Sequence, residues 1–309
     1  MPAEKFSKNG FFSGSISMKY ITFAFCRIRK QKGLLSAMAI ITLTSDWGHS
    51  DYYAAAVKGV LLSQLPNATI IDITHEIAPF NTIDAGFVVK NCFRNFPVGT
   101  IHIIAVDTIE SENIPHVVVK AEGQYFIGAD NGVFRQIFDE FEDAVEINVM
   151  QDTDSFNFPA RDRFAKVAVM IAQGVPLSEI GPKRETIRGA EFCAVVRDDS
   201  IEGIVIHIDS YGNLITNITR EDFVNARRGR DFTIMVKGRL YTINKISDSY
   251  MDVHDTTDLV AIFGSHGNLE IAMREAPIAS LCGIEFRSTI RVVFHDKIEA
   301  VIPQTGSLF

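Results

Sequence analysis

The sequence predicts a two-part α/β protein: an N-terminal mixed sheet with helices, followed by a C-terminal β-barrel domain. Three observations carry the prediction. Between residue 38 and about 185, apolar strand-like runs alternate with helical stretches, the pattern of a sheet covered by helices. Beyond about 190, short strand-like runs follow one another with Gly, Asn and Asp between them, as in a barrel or sandwich. The chain has 309 residues, 47% of them apolar, which is enough for two full cores.

The elements follow in order. Strands are expected at 39–45, 69–73 and 101–106, with helices at 51–65 and 82–93 between them. In the first helix, Tyr53, Val57, Val60 and Leu61 share one face, and Ser50 is placed to cap it. A hairpin over roughly 117–128 turns at Gly123, and a further helix is expected near 163–173. The barrel strands are expected at 201–208, 214–218, 232–237, 240–244, 258–263, 269–273 and 289–295. The domains are thus drawn at 38–185 and 190–309, with GPKRETIRG near 182–190 as linker. Residues 1–37 stand apart, with seven Lys or Arg against one acid, Glu4, and an apolar run, ITFAF, too short for a secretory core. They are read as an extension outside the fold, an upstream start codon being one origin.

Composition excludes some classes. A net charge of −8 argues against a nucleic-acid or membrane-surface partner, which leaves a basic footprint. Cys26, Cys92, Cys193 and Cys282 are far apart with no C-x-x-C pair, so no zinc or redox motif is expected. Reduced, mostly buried thiols and the lack of a membrane-length apolar stretch point to the cytoplasm.

Three acids fall at predicted strand ends. In TSDWGHSDYY, Asp46 and Asp51 flank a Trp-Gly turn between strand and helix. Ligands of open α/β sheets bind at the carboxyl ends of strands, where a carboxylate can accept both hydrogens of a ribose diol. The same residues can equally cap a turn or favour a helix N-terminus. Asp107 ends the third strand and is the third acid on this edge. In ITHEIAPFN, His75 and Glu76 point to opposite strand faces and make a poor metal pair, so no metal is expected; Phe80 can stack on a flat ring or pack in a core. HIDSYGNLITN and GSHGNLE read as turns between barrel strands, and the Asn213 amide offers the donor and acceptor an adenine edge needs.

Taken together, TSDWGHSDYY, AAAVKG, IIDITHEIAPFN, FPVGTIHIIAVD, FIGADNGVF, FPARDRFAKVAV, HIDSYGNLITNI and FGSHGNLEIA resemble one family. It is the S-adenosyl-L-methionine (SAM) hydroxide adenosyltransferases, relatives of fluorinase and chlorinase, and the likeness runs from about Ala39 to Pro303. The resemblance implies SAM as substrate and a homotrimer with each site between the N-domain of one chain and the C-domain of the next. It implies that Asp46 holds the ribose diol with Asp51 beside it, that Phe80 covers the ligand, and that Asn213 meets the adenine. Ser265 and His266 would fall near the methionine carboxylate.

The chain departs from the family at the water site. The hydrolases use an Asp, an Arg and a His there. Their loop DPGVG-T-x-R is here Asp107-Thr108-Ile109-Glu110-Ser111-Glu112-Asn113, one residue short and without Arg. Their F-H-G-R-D is here Phe158-Pro159-Ala160-Arg161-Asp162, which puts a proline at the His position. Asp107 alone is kept, with Glu110 and Glu112 the nearest candidates to assist it. The implied function is attack of water at C5′ of SAM, giving adenosine and methionine. The alternative is a catalytically weak SAM- or adenosine-binding protein. Halogenation ranks last, because Asp107, Glu110 and Glu112 bring negative charge where a halide needs donors.

Overall fold

The computed structural model describes residues 38–150, 157–189, 192–252, 255 and 258–296. The extension assigned to 1–37 lies outside the described residues.

The N-terminal sheet has six strands in the order β2-β1-β3-β5-β4-β6. β1 is Ile40–Ser45, β2 Thr69–Thr74 and β3 Ile101–Ala105; β4 is His116–Ala121, β5 Gln124–Ala129 and β6 Asp143–Glu146. β1 runs parallel to both β2 and β3, and β5 parallel to β3, while β4 pairs antiparallel with β5 and β6. The mixed sheet expected from the alternating pattern is thus present. β3 is buried along its whole length, which is why IHIIA shows no polar–apolar alternation. One face packs against helices Tyr53–Gln64 and Ala165–Ala172 through Val57, Leu61, Phe164, Ala168 and Ile171. The other face packs against helix Thr82–Lys90 and the short helix Phe93–Asn95 through Ala85, Val89 and Phe93.

Ser50 does not cap the first helix. That helix begins at Tyr53, its N-cap position is Tyr52, and no side chain caps it. Residues 49–52 remain in bends after Gly48, whose φ of +65° favours glycine, so the helix starts two residues later than the Ser suggests. Asn81 does cap helix Thr82–Lys90, accepting from Asp84 N.

The C-terminal domain is an antiparallel sheet in the order β11-β10-β14-β8-β9-β13-β12, with β7 added beside β8. β7 is Val195–Val196, β8 Ser200–Ile208, β9 Leu214–Thr219, β10 Asp231–Val236 and β11 Tyr241–Ile243. β12 is Leu259–Phe263, β13 Asn268–Met273 and β14 Thr289–His295. The end strands β11 and β12 come back against each other, so the sheet nearly closes into a barrel around Leu214, Ile234, Leu269, Ile271 and Val292.

Two features join the halves. Helix Thr82–Lys90 lies on β8: Ile83 packs with Ile206 and Ile215, and Asp84 Oδ1 meets His207 Nδ1 at 2.5 Å. His207 sits where the β8–β9 register slips, a bulge that re-aims side chains. The linker is also pinned. Lys183 bridges to Val145, Arg184 N donates to the Ala144 carbonyl, and Arg188 N donates to Asp130 Oδ1 at 2.7 Å. Asp130 is 1% exposed, and burial raises its pKa despite Arg184 and Arg188 beside it.

Candidate active site

Of the three acids predicted at one sheet edge, Asp46 and Asp107 are brought together there. Ser45 and Ala105 are register partners at the ends of β1 and β3, so Asp46 and Asp107 leave neighbouring parallel strands one and two residues later. Asp107 has φ +48°, a conformation non-glycine residues seldom hold. Asn131, in the turn after β5, holds it there: its Nδ2 donates to the carbonyls of Val106 at 3.0 Å and Asp107 at 2.9 Å. Burial raises the Asp107 carboxyl above the usual range, and the negative charge of Asp46 raises it further. Asp46 Oδ2 accepts from the backbone N of Phe80 at 3.0 Å. Phe80 itself has φ +65° and is 66% exposed, so of its two expected roles the core one is absent. Asp51 is exposed just ahead of the first helix.

Beneath the edge lies a polar brace. Ser45 Oγ is 2.6 Å from His75 Nδ1, His75 Nε2 is 3.2 Å from Asp72 Oδ1, and Asp72 Oδ2 accepts from Lys58. The order Ser-His-Asp is that of a hydrolytic triad, but Ser45 is fully buried and cannot meet a substrate. The brace fixes the turn instead: Gly48 N donates to the His75 carbonyl, and Trp47 stacks on the His75 ring at 6.0 Å. His75 and Glu76 follow the end of β2, His75 buried and Glu76 exposed, and burial lowers the His75 pKa.

The loop from Asp107 to β4 carries both predicted glutamates. Glu112 is exposed. Glu110 is not free: both its oxygens accept from Arg163 Nη1 at 2.7 Å. The same Nη1 is 3.0 Å from His116 Nδ1, and His116 Nε2 is 2.9 Å from the Thr108 carbonyl. Sequence reasoning missed Asn131, His116 and Arg163 as site residues. Asn131 and Arg163 lie within quoted motifs, FIGADNGVF and FPARDRFAKVAV, but no spacing links them to Asp107.

The barrel holds a cleft of about 610 Å³ lined by Asp209, Tyr211, Asn213, Tyr250, Met251 and neighbours, all from the C-terminal domain. HIDSYGNLITN forms the β8–β9 turn as expected. Asp209 accepts from the backbone of Tyr211 and Asn213 and, at 3.0 Å, from Asn213 Nδ2. One amide hydrogen of Asn213 is thus spent within the turn. Ser265 is exposed in the β12–β13 turn. His266 is occupied on both nitrogens: Nδ1 accepts from Asn268 N at 3.1 Å, which leaves Nε2 as the donor toward Glu270 Oε2 at 3.3 Å. Tyr250 donates to Glu270 Oε1 at 2.5 Å. Burial pushes the Glu270 carboxyl up, but bonds from His266 and Tyr250 outweigh it and keep the group ionised.

Comparison with known proteins finds relatives of the chain. A family model described as the SAM hydroxide adenosyltransferase N-terminal domain matches residues 41–181, and its C-terminal counterpart matches 203–291. A protein of Methanocaldococcus jannaschii named (R)-S-adenosyl-L-methionine hydrolase is 30% identical over 270 residues, covering 82% of this chain and 96% of the relative. A fluorinase of Actinoplanes is 25% identical over 288 residues, covering 82% and 97%. Among solved structures, an uncharacterised conserved protein from Thermotoga maritima superposes with a TM-score of 0.73 at 29% identity, covering 82% of this chain and 99% of that one.

Proposed function

Since this chain belongs to the SAM hydroxide adenosyltransferase family, we propose that it hydrolyses SAM, with water attacking C5′ to give adenosine and methionine. The observation that carries the reading is the Asp46–Asp107 pair on neighbouring strand ends, with the Asp107 carboxyl raised above its ordinary value by burial and by Asp46. A carboxylate of raised pKa is a better base than a solvated one. In the proposed step Asp107 accepts a proton from water, the water oxygen bonds to C5′, and the C5′–S electron pair leaves with methionine. Methionine departs as a neutral thioether, so the chemistry requires neither a general acid nor a metal at the leaving group. What the site supplies is alignment of water with the C–S bond.

The remaining assignments belong to the same proposal. Asp46 binds the ribose diol with Asp51 beside it, Phe80 covers the ligand, Asn213 reads the adenine, and Ser265 and His266 lie near the methionine carboxylate. The acids come from one domain and the cleft from the other. Exposed apolar side chains border each: Phe80 and Ile109, 66% and 72% exposed, beside the acids, and Tyr211, 80% exposed, at the cleft. They support a homotrimer in which the acid edge of one copy meets the barrel cleft of the next. No helix among the described residues is long and apolar enough to cross a membrane, and the cytoplasm is the proposed compartment.

The Asp107 carboxylate at the attack site disfavours halide as nucleophile. Incubation with each sulfonium epimer of SAM, followed by chromatography, tests the function. Adenosine is the expected product, formed more slowly than by a relative that has the Arg and His. Tight SAM binding without adenosine would replace this reading with that of a binding protein.

A further inference from the structure

We propose that Arg163 and His116 are positioning residues for the hydrolytic loop, clamping residues 108–110 so that Asp107 is held in its strained, productive conformation. The proposal rests on the hydrolase reading above and adds residues to it.

The loop between β3 and β4 has little structure of its own, apart from an isolated bridge between Ser111 and Ile114. Something else must hold Asp107 at φ +48°, since such a conformation persists only where its surroundings over-determine it. Asn131 grips the loop before and at Asp107 through two backbone carbonyls. His116 and Arg163 grip it after Asp107. His116 opens β4 and is fully buried, burial lowers its pKa, and its ring lies between a carbonyl that only accepts and a guanidinium that only donates, the setting of a neutral ring. A neutral ring carries one N–H. The Thr108 carbonyl 2.9 Å from Nε2 can only accept, so the proton is on Nε2 and Nδ1 is left as acceptor. Arg163 Nη1 donates to that Nδ1 and to both oxygens of Glu110.

A single guanidinium therefore ties a loop carboxylate to a strand imidazole that already holds the loop backbone. Charge closes as well: Glu110 neutralises Arg163, whose side chain is only 11% exposed, which makes a buried cation tolerable. Arg163 reaches this point from the wide turn Ala160–Phe164, and the Phe164 ring packs edge-on to His116 at 4.7 Å. Arg163 acts through the loop and not by its charge on Asp107, whose titration responds to burial and Asp46.

The test uses the full chain with Arg163→Met, Arg163→Lys, Glu110→Gln and the Arg163→Met/Glu110→Gln double variant. Turnover and KM for SAM are measured together with melting temperature and amide exchange at Ser111 and Ile114. Loss of alignment by a fraction of an ångström is expected to lower kcat about 10- to 100-fold in Arg163→Met, with KM within about threefold. Glu110→Gln should lose less, the double variant should fall no lower than Arg163→Met alone, and Arg163→Lys should recover part of the loss. Loop amides should exchange faster in Arg163→Met at unchanged melting temperature. Additive losses, a kcat that falls only in step with melting temperature, or loop exchange equal to wild type would overturn the proposal. The exchange measurement decides the clamp even if wild-type protein makes no adenosine, an outcome that would instead reject the function proposed above. Should Arg163→Met fail to fold, Glu110→Gln, altered at a side chain 39% exposed, carries the same comparison.

Discussion

Asp107→Asn is expected to abolish adenosine formation and at the same time stabilise the protein. The amide cannot take a proton from water, so kcat should fall by roughly 10²- to 10⁴-fold, the usual share of a general base. The stability gain has a separate origin. The folded pKa of Asp107 is raised, by burial first and by Asp46 second, so ionising it costs more in the folded chain than in the unfolded one. That penalty is complete above the folded pKa, shrinks as pH falls through it, and is gone below the unfolded value. At pH 7–8 the neutral variant should melt higher than wild type, and the gap should close in acid. A calorimetric pH series reads this directly, and equal melting curves at every pH would show that Asp107 is not under this strain. The wild-type kcat/KM should have an acid limb above the ordinary carboxylate range for the same reason.

Asp46→Ala should weaken binding of adenosine and SAM by roughly 5- to 150-fold, corresponding to the 1–3 kcal/mol lost when a diol in a closed site has no acceptor. In the free protein one oxygen of Asp46 already accepts from Phe80 N, so a ligand diol must share or displace that bond, and the variant also loosens the backbone that presents Phe80. Asp46→Asn keeps an acceptor and should lose less. Titration calorimetry with adenosine separates the two. The change also removes the charge that helps raise Asp107, so residual turnover should show an acid limb shifted to lower pH. Unchanged affinity in Asp46→Ala would remove Asp46 from the site, and an unmoved limb would show that the two carboxylates do not interact.

Much of this was legible in the sequence because it depends on short-range pattern. Buried parallel strands read as unbroken apolar runs, as in IHIIAV, and barrel strands as short β-rich runs between turns. The shared edge of Asp46 and Asp107 followed from their places at strand ends. Other features were less visible. Helix Arg220–Arg227 is short and polar, and it is betrayed only by a capping box between Thr219 and Asp222. The partner of Glu110 could not be read at all: Arg163 is 53 residues away, and the fold alone brings them into contact. Glu110 looked like a spare base because its neighbours in sequence are polar, whereas its neighbour in space is a cation.

The segment GPKRETIRG offers Lys183, Arg184 and Arg188 to trypsin, and on sequence alone it should be cut at once. A protease needs several residues of free, extended backbone, and here the backbone is already engaged by Val145, Ala144 and the buried Asp130. Cleavage must wait until the strand that carries Val145 lets go. The rate of nicking at this point is therefore a gauge of how often the edge of the N-terminal sheet opens, and a ligand that steadies that sheet should slow the cut although it touches none of these residues.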